Sequence, residues 1–109
     1  MATLRKGKVF YKDILAGYIE ETEEGYGFYY DPSYLSMRSP QPVSLTLPLR
    51  LAPFISTSLH PFFDGLIPEG WLLSIVVKNW KISERDRMGL LLTVCKDCVG
   101  AAGVERCDA

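Results

Sequence analysis

The stretch PFFDGLIPEGWL, residues 61–72, holds the signals from which the rest of the chain can be interpreted. It opens on a proline and two adjacent phenylalanines, and Asp64 followed by Gly65 is a common turn pair. Pro68 suits the first turn of a helix, because its missing N–H would have no partner there. The neighbouring Glu69 favours the positive end of the helix dipole. The stretch therefore predicts a turn that leads directly into a helix.

The predicted helix continues to Trp80 and has two unlike faces, since a helix turns by about 100° per residue. The face that we expect to be buried holds Leu72, Leu73, Val76, Val77 and Trp80. Trp71 and Ile75 fall on the other face, beside Ser74 and Lys78. A tryptophan that points away from its own core is a candidate anchor for a partner, because large aromatic side chains dominate interface energetics. Half-burial of Trp71 under a loop is the alternative.

Residues 8–30 predict a meander of antiparallel strands. The three β-prone runs are 9–11, 14–20 and 26–30. Turn residues separate these runs at Lys12-Asp13 and at Glu23-Glu24-Gly25. Gly17 interrupts the second run and indicates a bulge or a close approach of another chain segment.

Two short elements are expected after the meander. Asp31 followed by Pro32 predicts a capped helical turn. Residues 43–47 alternate between apolar and polar side chains, and Pro48 stops the alternation. This pattern predicts a half-buried strand.

A second helix is expected to begin at Ser83, with Asp86 three residues later as a variant of a capping box. Its apolar stripe would consist of Met88, Leu91, Leu92 and Cys95, widened by Leu90 and Val94. Residues 96–104 are a candidate for a last strand.

These elements predict an α+β fold: a small antiparallel sheet, or a partly closed barrel, with two packed helices. The whole chain, 1–109, is expected to be a single domain with flexible ends at 1–7 and 105–109. The aromatic strand 26–30 is expected to supply much of the surface that faces the helix of residues 68–80.

Composition favours a soluble globular protein of the cytoplasm. Of the 109 residues, 48% are hydrophobic and 23% are charged, and the net charge is −1. This balance gives no basic patch for direct contact with nucleic acid. No apolar run approaches the length of a membrane span or of a secretory signal. Three cysteines do not form a disulfide framework, which indicates a reducing compartment.

Few residues offer catalytic or metal-binding chemistry. His60 is a candidate catalytic residue, but an ordinary loop histidine is the simpler interpretation. Cys95 and Cys98 have C-x-x-C spacing without a second pair of zinc ligands, and Cys95 also fits a core position. Asp64 and Glu69 are better explained by turn and dipole chemistry than as a catalytic pair. The residues therefore predict a binding module with no catalytic residues, no cofactor and no metal, rather than an enzyme.

Several motifs, taken together, resemble a known family. The block FFDGLIPEG at 62–70, SLTLPL at 44–49 and DCVGA at 97–101 resemble the N-terminal subdomain of HipA-type serine/threonine kinase toxins. The segment YYDPSYL at 29–35 fits the same pattern, and the resemblance extends over residues 9–104.

The resemblance implies a binding role and no kinase activity. In HipA kinases a longer core with the ATP site follows this subdomain, and none of its catalytic residues maps onto this sequence. Stand-alone versions of the subdomain resemble the HipS proteins of tripartite HipB–HipS–HipT systems. The resemblance implies an antitoxin that binds a HipT-like kinase, with a HipB-like DNA-binding protein as third member of the complex.

The hypothesis for partner binding centres on the corner before the long helix. Trp71 and Ile75, together with the preceding loop that includes Asp64, Gly65, Glu69 and Gly70, are expected to dock near the active site of the kinase. Packing of the same surface in cis, within a full-length kinase, is the alternative. Residues 105–109 do not resume a kinase pattern, which favours the stand-alone protein.

Overall fold

Five strands form one antiparallel sheet in the computed structural model, which describes residues 3–67, 70–83, 85–94 and 102–106 without the side chains of Trp71 and Val94. The strands are β1 (Thr3–Tyr11), β2 (Ile14–Thr22), β3 (Gly25–Tyr30), β4 (Phe54–Ser56) and β5 (Ala102–Arg106). The helices are α1 (Pro32–Leu35), α2 (Pro61–Asp64), α3 (Gly70–Trp80) and α4 (Arg87–Val94). Within these ranges, no helix has the length and apolar content that crossing a bilayer requires.

The sheet is open, with strand order β4-β3-β2-β1-β5, so the α+β prediction is confirmed in its form as a small antiparallel sheet rather than a partly closed barrel. The predicted meander is confirmed as β1, β2 and β3. Lys12 and Asp13 both have positive φ, at 50° and 65°. A two-residue turn with this conformation matches the right-handed twist of its strands, so it joins β1 to β2 directly.

Alternate strand residues form the core face of the sheet. Val9 lies opposite Val104 and Ile19 lies opposite Phe28, and all four side chains are fully buried. The Phe63 ring of α2 lies 5.3 Å from the Phe28 ring. α2 thus supplies an aromatic partner for Phe28 of β3, and Leu73, Val76 and Val77 of α3 pack against the same core cluster.

Gly17 marks both a bulge and a close approach, as predicted. Val9 pairs with Gly17 but Phe10 pairs with Leu15, which leaves Ala16 outside the regular register. A Cβ on Gly17 would collide with the Tyr29 carbonyl oxygen of the neighbouring strand. A larger residue at position 17 would therefore force β2 and β3 apart.

The short helix α1 begins as the sequence predicts. The Asp31 carboxylate accepts a hydrogen bond from the Ser33 backbone N–H at 2.8 Å, and Pro32 occupies the first turn. The Asp31 backbone N–H donates to the Ala16 carbonyl at 2.8 Å. The bulged residue of β2 therefore fixes the point at which the chain leaves the sheet.

The strand predicted at residues 43–47 is wrong, because these residues form a tight turn. The Leu47 backbone N–H donates to the Ser44 carbonyl at 3.0 Å. Val43 and Leu47 are buried, as alternation predicts, but Leu45 between them is 97% exposed. Two buried residues four apart fit either a strand or a turn whose ends both face the core, which is why the pattern is misleading.

The buried face predicted for α3 is correct only in part. Leu73, Val76 and Val77 pack against the core as half-buried side chains. Leu72 and Trp80 are 46% and 61% exposed, so their predicted burial is wrong. Helical periodicity sorts side chains by direction but does not show where the neighbouring core stops. Trp80 is the last residue of the helix and lies beyond the part that the core covers.

The second helix begins later than Ser83. The Asp86 carboxylate accepts a hydrogen bond from the Gly89 backbone N–H at 3.1 Å, and α4 starts at Arg87. Asp86 is therefore the cap of this helix. Its buried side chains include Met88, Leu90, Leu91 and Leu92. The predicted stripe position Cys95 lies outside the described residues.

The last strand is found at Ala102–Arg106. Residues 3–7, expected in a flexible end, are strand residues of β1, and residues 105–106 belong to β5. β5 pairs with β1, so the described end of the chain is tied to its beginning.

Candidate functional site

The predicted docking corner lies between α2 and α3. α2 ends at Asp64, and Gly65 has an ordinary helical conformation with φ of −69°. Its backbone N–H donates to the Pro61 carbonyl at 2.9 Å. α3 then begins at Gly70. Trp71 follows in its first turn, with only its backbone described, and Glu69 lies outside the described residues.

Gly70 has a backbone conformation that favours glycine. Its φ is +62°, in the left-handed region, and no atom lies within 4 Å of the position that a Cβ would occupy. The space is open, so the requirement for glycine here is conformational rather than steric. Sequence analysis placed Gly70 in the loop before the helix. In the structure Gly70 is the first residue of α3, and its positive φ determines the direction of the chain there.

An ion pair links α2, which precedes the corner, to α4, which follows α3. The Arg87 Nε donates to the Asp64 Oδ1 at 2.7 Å, which links the last residue of α2 to the first residue of α4. The Asp64 carboxylate remains about half exposed. Its position indicates that Asp64 helps to hold α2 and α4 together at the base of the corner.

α3 has three exposed apolar side chains, which we call the α3 surface: Leu72, Ile75 and Trp80. Ile75 is 43% exposed, as a residue on the solvent side of the helix would be. Leu72 and Trp80 are eight residues apart, so they lie about 80° from each other around the helix. Half-buried Val76 lies between them. The exposed apolar area is therefore wider than the pair of residues that the sequence selected.

A second ion-pair network fixes α4 on the sheet. The Arg5 guanidinium donates to Glu21 at 2.6 and 2.9 Å and to Asp86 at 3.0 and 2.7 Å. The hydrogen bond from Arg5 lowers the pKa of the Asp86 carboxyl. Because Asp86 also caps α4, one arginine links β1, β2 and the start of this helix.

His60 is a buried structural residue rather than an accessible catalytic group. Its side chain lies at the start of α2, with Nε2 2.8 Å from the Phe54 carbonyl oxygen of β4. Its ring meets the Phe63 ring edge-on at 5.9 Å. Burial lowers the pKa of His60, and Nδ1 is buried without a hydrogen-bond partner among the described residues. Its neutral form therefore ties the edge strand to α2.

Sequence reasoning missed Leu45, the most exposed of the large apolar side chains described. The signal that could have found it is Ser44, because serine before a turn commonly binds the backbone N–H two residues later. The Ser44 Oγ accepts that bond from the Thr46 N–H at 3.2 Å.

Comparison with known proteins gives the family. Residues 7–105 match the family model described as the HipA N-terminal domain. A solved structure of the N-terminal domain of HipA toxin superposes with a TM-score of 0.75 and 30% sequence identity. The match covers 99% of this chain and 97% of that chain.

Two curated relatives differ in how much of their length is matched. An uncharacterized protein of Haemophilus influenzae is 34% identical over 102 residues, which are 94% of this chain and 92% of that protein. A Sinorhizobium fredii protein described as "Putative kinase Y4mE" is 29% identical over 100 residues. This match covers 91% of this chain and 24% of the rhizobial protein, so the chain spans about a quarter of that relative. The fold, the family match and the relatives agree, and the chain belongs to the HipA N-terminal domain family.

Proposed function

We propose that this protein is an antitoxin that binds a HipA-like serine/threonine kinase and neutralises it by protein–protein contact. The observation that carries the proposal is the family match together with a relative of about the same length. Residues 7–105 correspond to the N-terminal domain, and the matched segment is 24% of the rhizobial relative. A HipT-like kinase would supply the remainder as a separate polypeptide. The Haemophilus relative, matched over 92% of its length, is a precedent for a protein of this size.

The α3 surface supports a binding role. Its three side chains are apolar and expose area that packing within the described residues does not cover. Apolar area is stabilised when it leaves water, so a partner that covers α3 gains binding free energy. The Asp64–Arg87 pair holds α2 against α4 and Asp86 caps α4, so these neighbouring helices need little ordering on binding, which lowers its entropy cost.

In this proposal, Trp71 and Ile75 dock near the active site of the kinase. The contact would hold the kinase inactive by occlusion or by restraining a mobile loop, without chemistry by this chain. The net charge of −1 does not favour direct binding of this chain to nucleic acid. In this proposal, DNA binding is therefore assigned to a HipB-like protein in a ternary complex.

The test compares the two tryptophans of α3, whose Cα positions lie on opposite sides of the helix because they are nine residues apart. Wild type should bind and inhibit a purified HipA-like kinase encoded in the same genome. Trp71→Ala should weaken binding by about thirtyfold, the cost of losing an anchor worth about 2 kcal/mol. Trp80→Ala is the comparison variant and should weaken binding less than Trp71→Ala, because Trp80 lies on the opposite side of α3 although it belongs to the α3 surface.

The outcomes separate the contact from the function. If Trp80→Ala weakens binding and Trp71→Ala does not, the antitoxin role stands and the contact moves to the opposite side of α3. Wild type that neither binds nor inhibits any such kinase would refute the proposed function.

The second candidate is a structural subdomain that packs in cis within a full-length kinase, as the 24% coverage of the rhizobial relative suggests. The two functions differ in their effect on activity. An antitoxin added to the separate kinase lowers its phosphorylation rate. A structural subdomain added in trans binds and leaves the rate unchanged or raises it.

A further inference from the structure

Leu45, at the tip of the Ser44–Leu47 turn, has the most exposed large apolar side chain among the described residues. The Leu45 side chain is 97% exposed, compared with 75% for Ile55 on β4. An apolar side chain in this position loses nothing by leaving water and gains when a partner covers it. Full exposure also means that Leu45 has no packing role in the folded monomer.

Hydrogen bonds within the turn fix its shape. The Ser44 Oγ lies 3.0 Å from the Thr46 Oγ1 and accepts the Thr46 backbone N–H at 3.2 Å. The Leu47 N–H donates to the Ser44 carbonyl at 3.0 Å. These three bonds connect Ser44 to Thr46 and Leu47, so they fix the backbone before and after Leu45 while its side chain stays exposed.

The two ends of the turn are attached to the core through one side chain. The buried Tyr30 hydroxyl accepts a hydrogen bond from the Val43 backbone N–H at 3.0 Å and donates one to the Leu47 carbonyl. Val43 and Leu47 are themselves buried. The turn is therefore preorganised, and a partner that binds Leu45 avoids the entropy cost of ordering a loop.

The chemistry of the segment indicates an apolar partner. Residues 39–49, between Arg38 and Arg50, contain no charged side chain, so the immediate surroundings of Leu45 in sequence are uncharged. A leucine on such a tip fits an apolar pocket. The groove beside β4, lined by Glu20, Glu24 and Ile55 among others, carries carboxylates. The groove beside β4 on a second copy of this chain would therefore suit Leu45 less well than an apolar pocket on another protein.

We propose that the Ser44–Leu47 turn is a second docking element, with Leu45 inserted into an apolar pocket on the body of a HipA-like kinase. The inference rests on the proposed function and adds a contact separate from Trp71 and Ile75. In the rhizobial relative most of the chain lies outside the matched segment, so a large body exists there to face such a turn. Two contacts on one partner also fix its orientation.

The experiment measures the affinity of the full chain for the purified HipA-like kinase by calorimetry. Leu45→Ser should weaken binding by about tenfold or more, as expected when a leucine side chain loses its burial. Ile55→Ser, which removes an exposed apolar side chain from β4, is the matched control and should change the affinity by less than about twofold. Both variants should keep the wild-type melting temperature, because neither side chain is buried.

Three results would overturn the inference. Equal binding by wild type and Leu45→Ser would remove the second contact and leave the proposed function intact. Weakened self-association of Leu45→Ser in sedimentation, with unchanged kinase affinity, would assign the turn to a second copy of this chain. Absence of kinase binding by wild type would refute the proposed function and, with it, this contact.

Discussion

The Ser44–Leu47 turn and α3 both present apolar side chains to solvent, but they are held in different ways. The turn is four residues long, and its two ends are bonded to one buried tyrosine hydroxyl. α3 is eleven residues long, starts from a glycine with positive φ and packs through half-buried side chains. The turn is thus fixed by hydrogen bonds to the core, whereas α3 is positioned by backbone conformation and by modest packing. The turn and α3 therefore differ in how their backbones are attached to the core, although both expose apolar side chains.

The largest expected effect comes from removing the anchor of the turn. Tyr30→Phe leaves the Val43 N–H and the Leu47 carbonyl without their buried partner, so the free energy of unfolding should fall by about 2 kcal/mol or more. Chemical denaturation measures this change. Tyr29→Phe is the matched control, because its hydroxyl donates to Glu20 at 3.2 Å on the half-exposed outer face. Equal losses in the two variants would contradict the anchoring role of Tyr30.

A smaller effect is expected at the start of α3. Gly70→Ala places a Cβ on a residue with φ of +62°, which should lower the free energy of unfolding by about 1 kcal/mol. Gly65→Ala is the comparison, since its φ of −69° suits any residue, and it should cost less. Thermal unfolding of both variants checks the order. If Gly65→Ala proved the more damaging, contact with the nearby Pro61 carbonyl, rather than backbone conformation, would control this corner.

The smallest expected effect is on the pH dependence of stability and concerns His60, which ties β4 to α2. Burial lowers the pKa of His60 in the folded protein, whereas the pKa of a histidine in the unfolded chain is about 6.5. As pH falls below that value the unfolded state binds more protons, so the free energy of unfolding decreases until the folded protein also protonates. His60 is the only histidine in the sequence. Denaturation at pH 7 and pH 5 should therefore show a shallower pH dependence for His60→Gln than for wild type, and identical slopes would rule out this contribution.

The sequence predicted the parts of the fold that local chemistry determines. β1, β2 and β3 follow from β-prone runs separated by turn residues, and α1 follows from Asp31 before Pro32. Family motifs identified the family without any knowledge of the packing, and the family model matches residues 7–105.

The errors arose where tertiary contacts decide the outcome. Alternation at residues 43–47 does not reveal that the Tyr30 hydroxyl bonds both ends of the segment and makes it a turn. Periodicity predicted burial for Trp80 but does not show where along the helix the core ends. Asp86 caps α4 while it also binds Arg5, a partner 81 residues away that local pattern does not indicate. Leu45 remained unnoticed for the same reason, because its exposure follows from that misread turn.

The pairing of β1 with β5 has a consequence for synthesis on the ribosome. β1, β2 and β3 emerge early and can form their hairpins, but one edge of β1 stays unpaired until residues 102–106 arrive. During this interval the nascent chain carries an open strand edge beside Val9, and such edges invite pairing with other chains. The sheet is completed by a long-range contact, which slows folding. Nascent chains of this protein are therefore expected to be more prone to aggregate before β5 leaves the exit tunnel than after it has paired with β1.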